Sequence, residues 1–196
     1  MAHAYEMTDN IAGLFFYQAE KLAGRPFMHS KFKDGRPSQN WTAMSWSETA
    51  DEVRGLGQGL VELGLAEGDR AAIFSNNCPR WVVSDLAVFG AGGITVPIYP
   101  TSTNEQLEFI LKDSGARVIM VENENLLEQV LEVKEGTDLE HVISLTEIND
   151  PPHPSVLNFA EVVERGRTGG PAKDEFERRK DSLSGESIGA IIYTSG

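Results

Sequence analysis

The sequence has little cysteine, little basic charge and no long apolar run. Cys78 is its single cysteine, which excludes an internal disulfide and any metal site made of several thiolates. The longest apolar stretches, such as Trp81–Val83 and Ala190–Tyr193, are far shorter than the roughly 20 residues that a membrane-spanning helix needs. We therefore predict no transmembrane segment.

The shortage of basic charge limits the classes of partner. With 17 basic and 30 acidic residues the formal net charge is -13, which repels phosphate backbones and predicts no nucleic-acid partner. The same charge opposes electrostatic attachment to an anionic membrane, although docking through a local apolar patch stays open. A small anion such as ATP is not excluded, because backbone amides build a phosphate site locally.

Signals for export and for metal binding are also lacking. Met1–Asn10 is polar and has neither the basic start nor the apolar centre of a signal peptide. This predicts a cytoplasmic protein, with membrane association left open. The four histidines are scattered without metal-ligand spacing, so no metal-ligating residue is assigned.

Polar and apolar segments alternate in the order strand, helix, strand, which predicts an α/β fold: a parallel sheet with flanking helices. Ser45 and Glu48 form a capping box that starts a helix, and Gly64 is suited to end it. An asparagine cap followed by Pro79 predicts a second helix. Further helices are predicted after Thr103 and over Leu126–Val133. Strands are predicted at Ala71–Phe74, Ile94–Ile98 (with Pro97 at a strand end or sheet edge), Arg117–Val121 and His141–Leu145.

The last third of the sequence is less regular. Residues 149–154 are rich in proline and predict a flexible connection, followed by a short helix around Phe159–Glu164. The charged stretch Gly169–Asp181 predicts a surface segment. Ile188–Tyr193 predicts an apolar strand paired inside a sheet, without a following helix to cover it. We therefore expect residues 1–196 to be the N-terminal part of a larger domain.

Several tempting motifs have simpler structural explanations. The alternating glycines Gly55, Gly57 and Gly59 suggest a dinucleotide loop, but they lie inside an amphipathic helix, where close helix packing explains them better. Trp81 and Asp85 are four positions apart on the second predicted helix. We predict that the Trp81 ring is buried and that the Asp85 carboxylate is capped or paired. Cys78 predicts a small buried side chain, and Tyr99-Pro100 is either a rigid turn or part of a tunnel wall.

Four motifs and the last residues of the chain occur together in one order. They are Gly68-Asp69-Arg70, Ser75-Asn76-Asn77-Cys78-Pro79-Arg80-Trp81, Val96-Pro97-Ile98-Tyr99-Pro100-Thr101, Asp113-Ser114-Gly115-Ala116-Arg117 and Ile191-Ile192-Tyr193-Thr194-Ser195-Gly196. Together they resemble the AMP-forming acyl-CoA synthetases, and most closely the long-chain fatty acid branch. The final stretch resembles the opening of that family's phosphate loop. The resemblance implies that residues 1–196 form an incomplete, N-terminal part of the AMP-binding domain.

The resemblance also implies a nucleotide site and a reaction. Thr194, Ser195 and Gly196 would bind ATP, the two hydroxyls reaching triphosphate oxygens and the glycine permitting close approach. A fatty acid would react with Mg²⁺-bound ATP to give an acyl-adenylate, and coenzyme A would then displace AMP. The loop lysine and the later motifs of the family are not among these residues. No catalytic residue is therefore assigned, and the isolated chain is expected to be inactive.

Two other functions stay open at this point. One is a non-catalytic nucleotide-binding module, and the other is an interaction domain that does not bind ATP. A ligand that binds only the folded state raises its melting temperature, so a thermal-shift measurement with ATP separates them. Within the synthetase interpretation, the acyl chain length is open.

Overall fold

The computed structural model describes residues 10–33 and 36–194, and its main body is a helix-flanked sheet. The helices are α1 (Ile11–Leu22), α2 (Trp46–Glu62), α3 (Pro79–Gly90), α4 (Asn104–Ser114), α5 (Glu124–Val133), α6 (Phe159–Thr168) and α7 (Gly170–Ser182). The strands are β1 (Pro26–Lys33), β2 (Arg36–Ser45), β3 (Arg70–Phe74), β4 (Ile94–Ile98), β5 (Val118–Val121), β6 (His141–Ser144) and β7 (Val156–Asn158). None of the helices in these two ranges is long and apolar enough to cross a membrane.

The sheet confirms the predicted α/β class. Five parallel strands lie in the order β4-β3-β5-β6-β7, and β1 and β2 pair separately as an antiparallel hairpin. The chain enters the sheet at β3, adds β4 on one side and then crosses to add β5 on the other. Pro97 lies on the outermost strand β4, as predicted, where its missing N–H costs little.

The strands are buried on both faces, so their side chains alternate between two cores. Ile73 and Met120 face the core covered by α1, α2, α3, α6 and α7, whereas Phe74 and Ile119 face the core covered by α4 and α5. All four side chains are fully buried. This alternation follows from the two-residue period of a strand, and continuous apolar runs are typical of parallel sheets covered on both sides.

The predicted helix starts are confirmed at two helices and corrected at a third. The Ser45 hydroxyl accepts from the Glu48 amide at 3.2 Å, and the Glu48 carboxylate accepts from the Ser45 amide at 2.8 Å. Thr103 and Gln106 form the same reciprocal cap on α4. At α3 the N-cap is Cys78 rather than an asparagine. Asn76 instead donates through its backbone and its side chain to Glu122.

The three alternating glycines of α2 bring α6 and α7 close, as the packing interpretation predicted. An ideal Cβ on Gly59 would lie 2.2 Å from the carbonyl oxygen of Val162, and one on Gly57 would lie 2.2 Å from the ring of Phe176. Neither distance is possible for real atoms. The glycines therefore permit helix contact and do not form a phosphate loop.

Two predictions for the last third of the chain are wrong in part. Most of the stretch predicted as a surface segment is helix α7, and its Phe176 is fully buried, because Ala172 and Phe176 lie one turn apart on the inner face. The predicted strand at Ile188–Tyr193 forms only one parallel bridge, Thr95 with Ala190. Within the described residues it has a partner on one side alone.

Residues 149–154 form no helix or strand, as predicted. The chain re-enters the same sheet directly afterwards as β7, which pairs with β6. Asn158 fastens the ends of this connection by donating to the Ile148 carbonyl and accepting from the Ile148 amide. Residues 149–154 therefore connect two neighbouring strands of the same sheet. The flexibility of this connection stays a prediction.

Candidate functional site

Thr194, the described residue of the predicted nucleotide site, lies at the carboxyl edge of the sheet. Thr95 donates to the Gly189 carbonyl at 3.0 Å and accepts from the Ile191 amide at 2.9 Å, so this segment runs parallel to β4. Beyond this pairing, β4 and the segment that ends at Thr194 diverge and border a cleft of about 550 Å³. Its lining residues are Tyr99, Thr101, Ser102, Gln106, Phe109, Ile110, Tyr193 and Thr194. Ser195 and Gly196 lie outside the described residues. Open α/β sheets bind ligands at this edge.

The residue before Thr194 is held by α4. The Tyr193 hydroxyl donates to the Asp113 carboxylate at 2.7 Å, and its ring meets the edge of Phe109 with centroids 6.2 Å apart. Burial and the Asp113 carboxylate raise the pKa of Tyr193 to about 12, so the phenol remains a protonated donor at neutral pH. We name this contact the Tyr193–Asp113 latch. It anchors the chain immediately before the predicted phosphate-binding residues.

Sequence reasoning missed Phe109 and Asp113. The sequence places Phe109 in the helix predicted after Thr103 and Asp113 at the start of a motif, and neither position predicts a role. The latch joins residues 80 positions apart, so no local pattern connects them. The available signal was that Phe109 stays 60% exposed on a helix whose other apolar side chains are buried.

The opposite rim of the cleft is built by the turn after β4. The Ser102 amide donates to the Tyr99 carbonyl at 2.9 Å, and the Ser102 carbonyl accepts from the side chain of Gln129 at 2.8 Å. This supports the rigid-turn interpretation of Tyr99-Pro100. Tyr99 also lines the cleft and is 74% exposed, so its ring is available to a ligand or to further polypeptide.

Two of the family-like motifs meet at the amino edge of the sheet, away from this cleft. Arg70 donates to the carbonyls of Ser114 and Gly115, the latter at 3.0 Å. Arg117 in turn pairs with Asp69 at 2.7 Å. These motifs fasten the starts of β3 and β5 to each other. Their role in the described structure is therefore architectural.

The Ser75–Trp81 motif joins the carboxyl ends of three strands. Asn76 binds Glu122 after β5, and the Arg80 guanidinium donates to the Leu145 carbonyl after β6. The hairpin covers this junction and leaves a cavity of about 120 Å³ beside Cys78. Cys78 is only partly buried, against the prediction of a buried side chain, but it packs against the core, and this burial raises the pKa of its thiol.

Asp85 differs from its prediction as a capped or paired acid. Within residues 10–33 and 36–194 no cation pairs with it, and burial raises its pKa. The nearby Thr95 hydroxyl partly opposes the rise in the pKa of Asp85. That hydroxyl is buried, and among the described residues no group forms a hydrogen bond of good geometry with it. Trp81 packs against the core as predicted.

No group of three or more metal-binding side chains that could hold an ion occurs in the part of the chain that the structure describes. The polar side chains that line the cleft carry hydroxyl, amide and phenol groups.

The sequence was compared with models of known protein families. The sequence model of the family described as AMP-binding enzyme matches residues 15–196, a range that includes all the motifs above. This chain belongs to the AMP-binding enzyme family.

Curated members of this family that are similar to the chain carry the name long-chain-fatty-acid–CoA ligase. FadD15 of Mycobacterium bovis is 31% identical over 189 residues, which cover 96% of this chain and 29% of that protein. ACSBG1 of Rattus norvegicus is 28% identical over 185 residues, covering 92% of this chain and 24% of that protein. The chain thus spans less than a third of the length of these AMP-binding relatives.

Solved structures of two ligases share the fold of this chain. The crystal structure of a long-chain-fatty-acid-CoA ligase (FadD1) from Archaeoglobus fulgidus gives a TM-score of 0.73 at 23% identity, covering 94% of this chain and 34% of that one. Coronafacic acid ligase from Pectobacterium brasiliense gives 0.73 at 15% identity, covering 93% and 33%. This part of the fold is therefore shared with solved ligases that are named for different acids.

Proposed function

We propose that the full-length protein containing this chain is an AMP-forming long-chain fatty acid–CoA ligase. The observation that carries the proposal is 31% identity to a long-chain-fatty-acid–CoA ligase across 96% of this chain. The cleft beside Tyr193 and Thr194 supports it, because this is the edge of the sheet where such a fold offers a ligand site. Residues 1–196 are then the N-terminal part of the AMP-binding domain.

Thr194, Ser195 and Gly196 bind the triphosphate in this proposal. Thr194 is exposed at the cleft, which suits a hydroxyl that donates to a phosphate oxygen. A small-residue loop also lets successive backbone N–H groups point into one concavity and stabilise negative charge. Mg²⁺ bound together with ATP would neutralise part of that charge.

The reaction has two steps that balance without a redox partner. A fatty-acid carboxylate oxygen attacks the α-phosphorus of ATP, forming acyl-AMP and releasing pyrophosphate. The coenzyme A thiolate then attacks the acyl carbon, forming a thioester and releasing AMP. Positioning and stabilisation of charge on the phosphoryl oxygens supply most of the rate enhancement for such chemistry.

The substrates set the partners of the full-length protein: a fatty acid, ATP and coenzyme A. A cytosolic location with peripheral membrane contact belongs to the same proposal, because each buried methylene contributes about 0.8 kcal/mol and long acyl chains therefore concentrate in bilayers. The 196-residue chain by itself is inactive in this account, since the later motifs of the family lie outside it.

The test is to incubate the purified full-length protein with Mg-ATP, coenzyme A and a panel of acids, and to measure acyl-CoA by mass spectrometry. Palmitate should give palmitoyl-CoA with one AMP formed for each thioester. Benzoate and amino acids are the matched carboxylate controls and should give little product. Activity with benzoate but with no fatty acid would overturn the substrate class while leaving the family intact.

A further inference from the structure

The β1–β2 hairpin has two faces of different chemistry. Strand alternation directs Phe32 and Met44 towards the small cavity over the sheet. The opposite face is exposed and carries His29, Lys31, Lys33 and Trp41. We call these four residues the outer hairpin face.

The charge of the hairpin is opposite in sign to that of the whole chain. Its two strands contain Lys31, Lys33 and Arg36 and no acidic residue, Arg25 precedes them, and Asp34 separates them in the sequence, so basic residues outnumber acidic ones here, whereas the chain as a whole carries -13. Among the described residues, neither lysine has a carboxylate within ion-pair distance. Their positive charge is therefore available to an external anionic surface.

Trp41 gives this basic face an apolar contact. Its side chain is 68% exposed, and the Lys31 ammonium lies 5.8 Å from the centre of its ring. A tryptophan ring with a polar N–H suits the boundary between lipid headgroups and acyl chains. Lysines beside it keep their ammonium groups among the headgroups while their methylene stems lie along apolar surface.

The hairpin is anchored, so the outer face is presented in a defined orientation. At its base Phe27 contacts Trp46 with ring centroids 4.3 Å apart and Phe15 at 5.7 Å. The Trp46 amide donates to the Arg25 carbonyl at 3.0 Å. Across the strands, the Thr42 hydroxyl donates to the Phe32 carbonyl at 2.6 Å. Docking therefore requires little ordering of the ribbon.

We propose that the outer hairpin face docks on an anionic lipid bilayer. Charge complementarity selects this occupant, because exposed basic residues attract acidic lipids and the exposed indole inserts beside them. A nucleic acid fits less well, since the remaining surface of this acidic chain would repel its phosphate backbone. The proposal rests on the proposed function only for its biological purpose, which is access to acyl chains dissolved in the bilayer.

The experiment measures co-sedimentation of the full-length protein with vesicles of phosphatidylcholine containing about 30% phosphatidylserine, without ATP or fatty acid. Because each basic residue near such a surface contributes about 1 kcal/mol, Lys31→Gln/Lys33→Gln should lower the partition constant roughly 30-fold. The control Lys134→Gln/Lys173→Gln removes the same charge elsewhere and should have little effect. Circular dichroism confirms that each variant is folded.

A second pair of variants tests the indole. Trp41→Ala should weaken binding and abolish the blue shift of tryptophan fluorescence on adding vesicles, whereas Tyr99→Ala, at a similarly exposed aromatic residue, should preserve both.

Equal binding of wild type and the Lys31/Lys33 variant would overturn the proposal. Loss of binding with Tyr99→Ala alone would overturn it in favour of the sheet edge. Binding to single-stranded DNA at the same salt, with none to vesicles, would replace the lipid by a nucleic acid. Loss of ligase activity with vesicle binding intact would count against the proposed function only.

Discussion

At the scale of single residues, the Tyr193–Asp113 latch connects the fold to the predicted nucleotide site. Its donor directly precedes Thr194, and its acceptor lies near the end of α4. A hydrogen bond to a charged acceptor contributes more than a neutral one, although partial exposure weakens it. Its removal should therefore loosen the loop without unfolding the sheet.

We predict that Tyr193→Phe raises the KM for ATP about fivefold in the full-length protein and changes kcat less, because the variant keeps the ring contact with Phe109 and loses about 1 kcal/mol of positioning. Steady-state kinetics at varied ATP measure both constants. Tyr17→Phe, on α1 and not among the residues that line the cleft, is the control. A lower melting temperature with an unchanged KM would mean that the latch only stabilises the fold.

Asp85 gives a pH dependence whose sign follows from its raised pKa. Burial favours the neutral acid in the folded state, so the folded state holds its proton to a higher pH than the unfolded chain does. The contribution of Asp85 to stability is therefore complete below its ordinary pKa of about 3.9 and is lost as pH rises through the raised value.

We predict that Asp85→Asn, which cannot ionise, has a higher melting temperature than wild type at pH 7. The difference should shrink as pH falls and be small near pH 3, where both side chains are neutral. Thermal unfolding across that range measures it. A variant that is less stable than wild type at pH 7 would show instead that the charged carboxylate is stabilised by its surroundings.

At the scale of secondary-structure elements, α2 owes its packing to the absence of side chains at three positions. Gly55, Gly57 and Gly59 form the contact with α6 and α7. Glycine lowers intrinsic helix stability by about 1 kcal/mol relative to alanine. Here that loss is offset because the helices approach more closely than a Cβ would permit.

We predict that Gly59→Ala lowers the free energy of unfolding by about 2 kcal/mol, because the new methyl group meets the Val162 carbonyl and overpacking costs about 1–3 kcal/mol. Urea unfolding measures the change. Gly170→Ala is the matched control, since an added Cβ there meets nothing within 4 Å, and it should be neutral or slightly stabilising. Equal stability of the two variants would contradict the packing account.

The sequence predicted correctly those structural elements that depend only on residues close to one another along the chain. The Ser45 cap, the buried strand β3 and the edge position of Pro97 follow from neighbouring residues, and the structure confirms them. The asparagine cap at α3 was wrong because Glu122, distant in sequence, binds Asn76. The inner face of α7 was missed because only two buried residues, Ala172 and Phe176, mark it among many charges.

The sequence predicted the residues of the candidate site through a motif, but it did not predict which distant residues surround them. Thr194 was named from the resemblance to a phosphate loop, and the structure brings it beside Tyr99 and Tyr193 at one cleft. The latch to Asp113 depends on how α4 packs beside the segment that pairs with Thr95 of β4, which no sequence spacing reveals. Ser195 and Gly196 lie outside the described residues, so their part in the site stays a prediction.

At the scale of the whole molecule, an acidic chain presents two local exceptions to its average charge. One is the basic outer hairpin face, and the other is the cleft whose lining residues are all uncharged. Net charge describes solubility and steering, whereas recognition depends on such local surfaces. A chain carrying -13 can therefore belong to a family that binds AMP.

The measurement that tests the central claim most directly is ATP–pyrophosphate exchange by the full-length protein with Mg-ATP and without coenzyme A. Exchange requires reversible adenylation, so it isolates the step assigned to the phosphate loop that begins at Thr194. We predict exchange that depends on added palmitate and falls strongly in Thr194→Ala/Ser195→Ala. Exchange that is absent with every fatty acid, or that proceeds equally without one, would contradict the account.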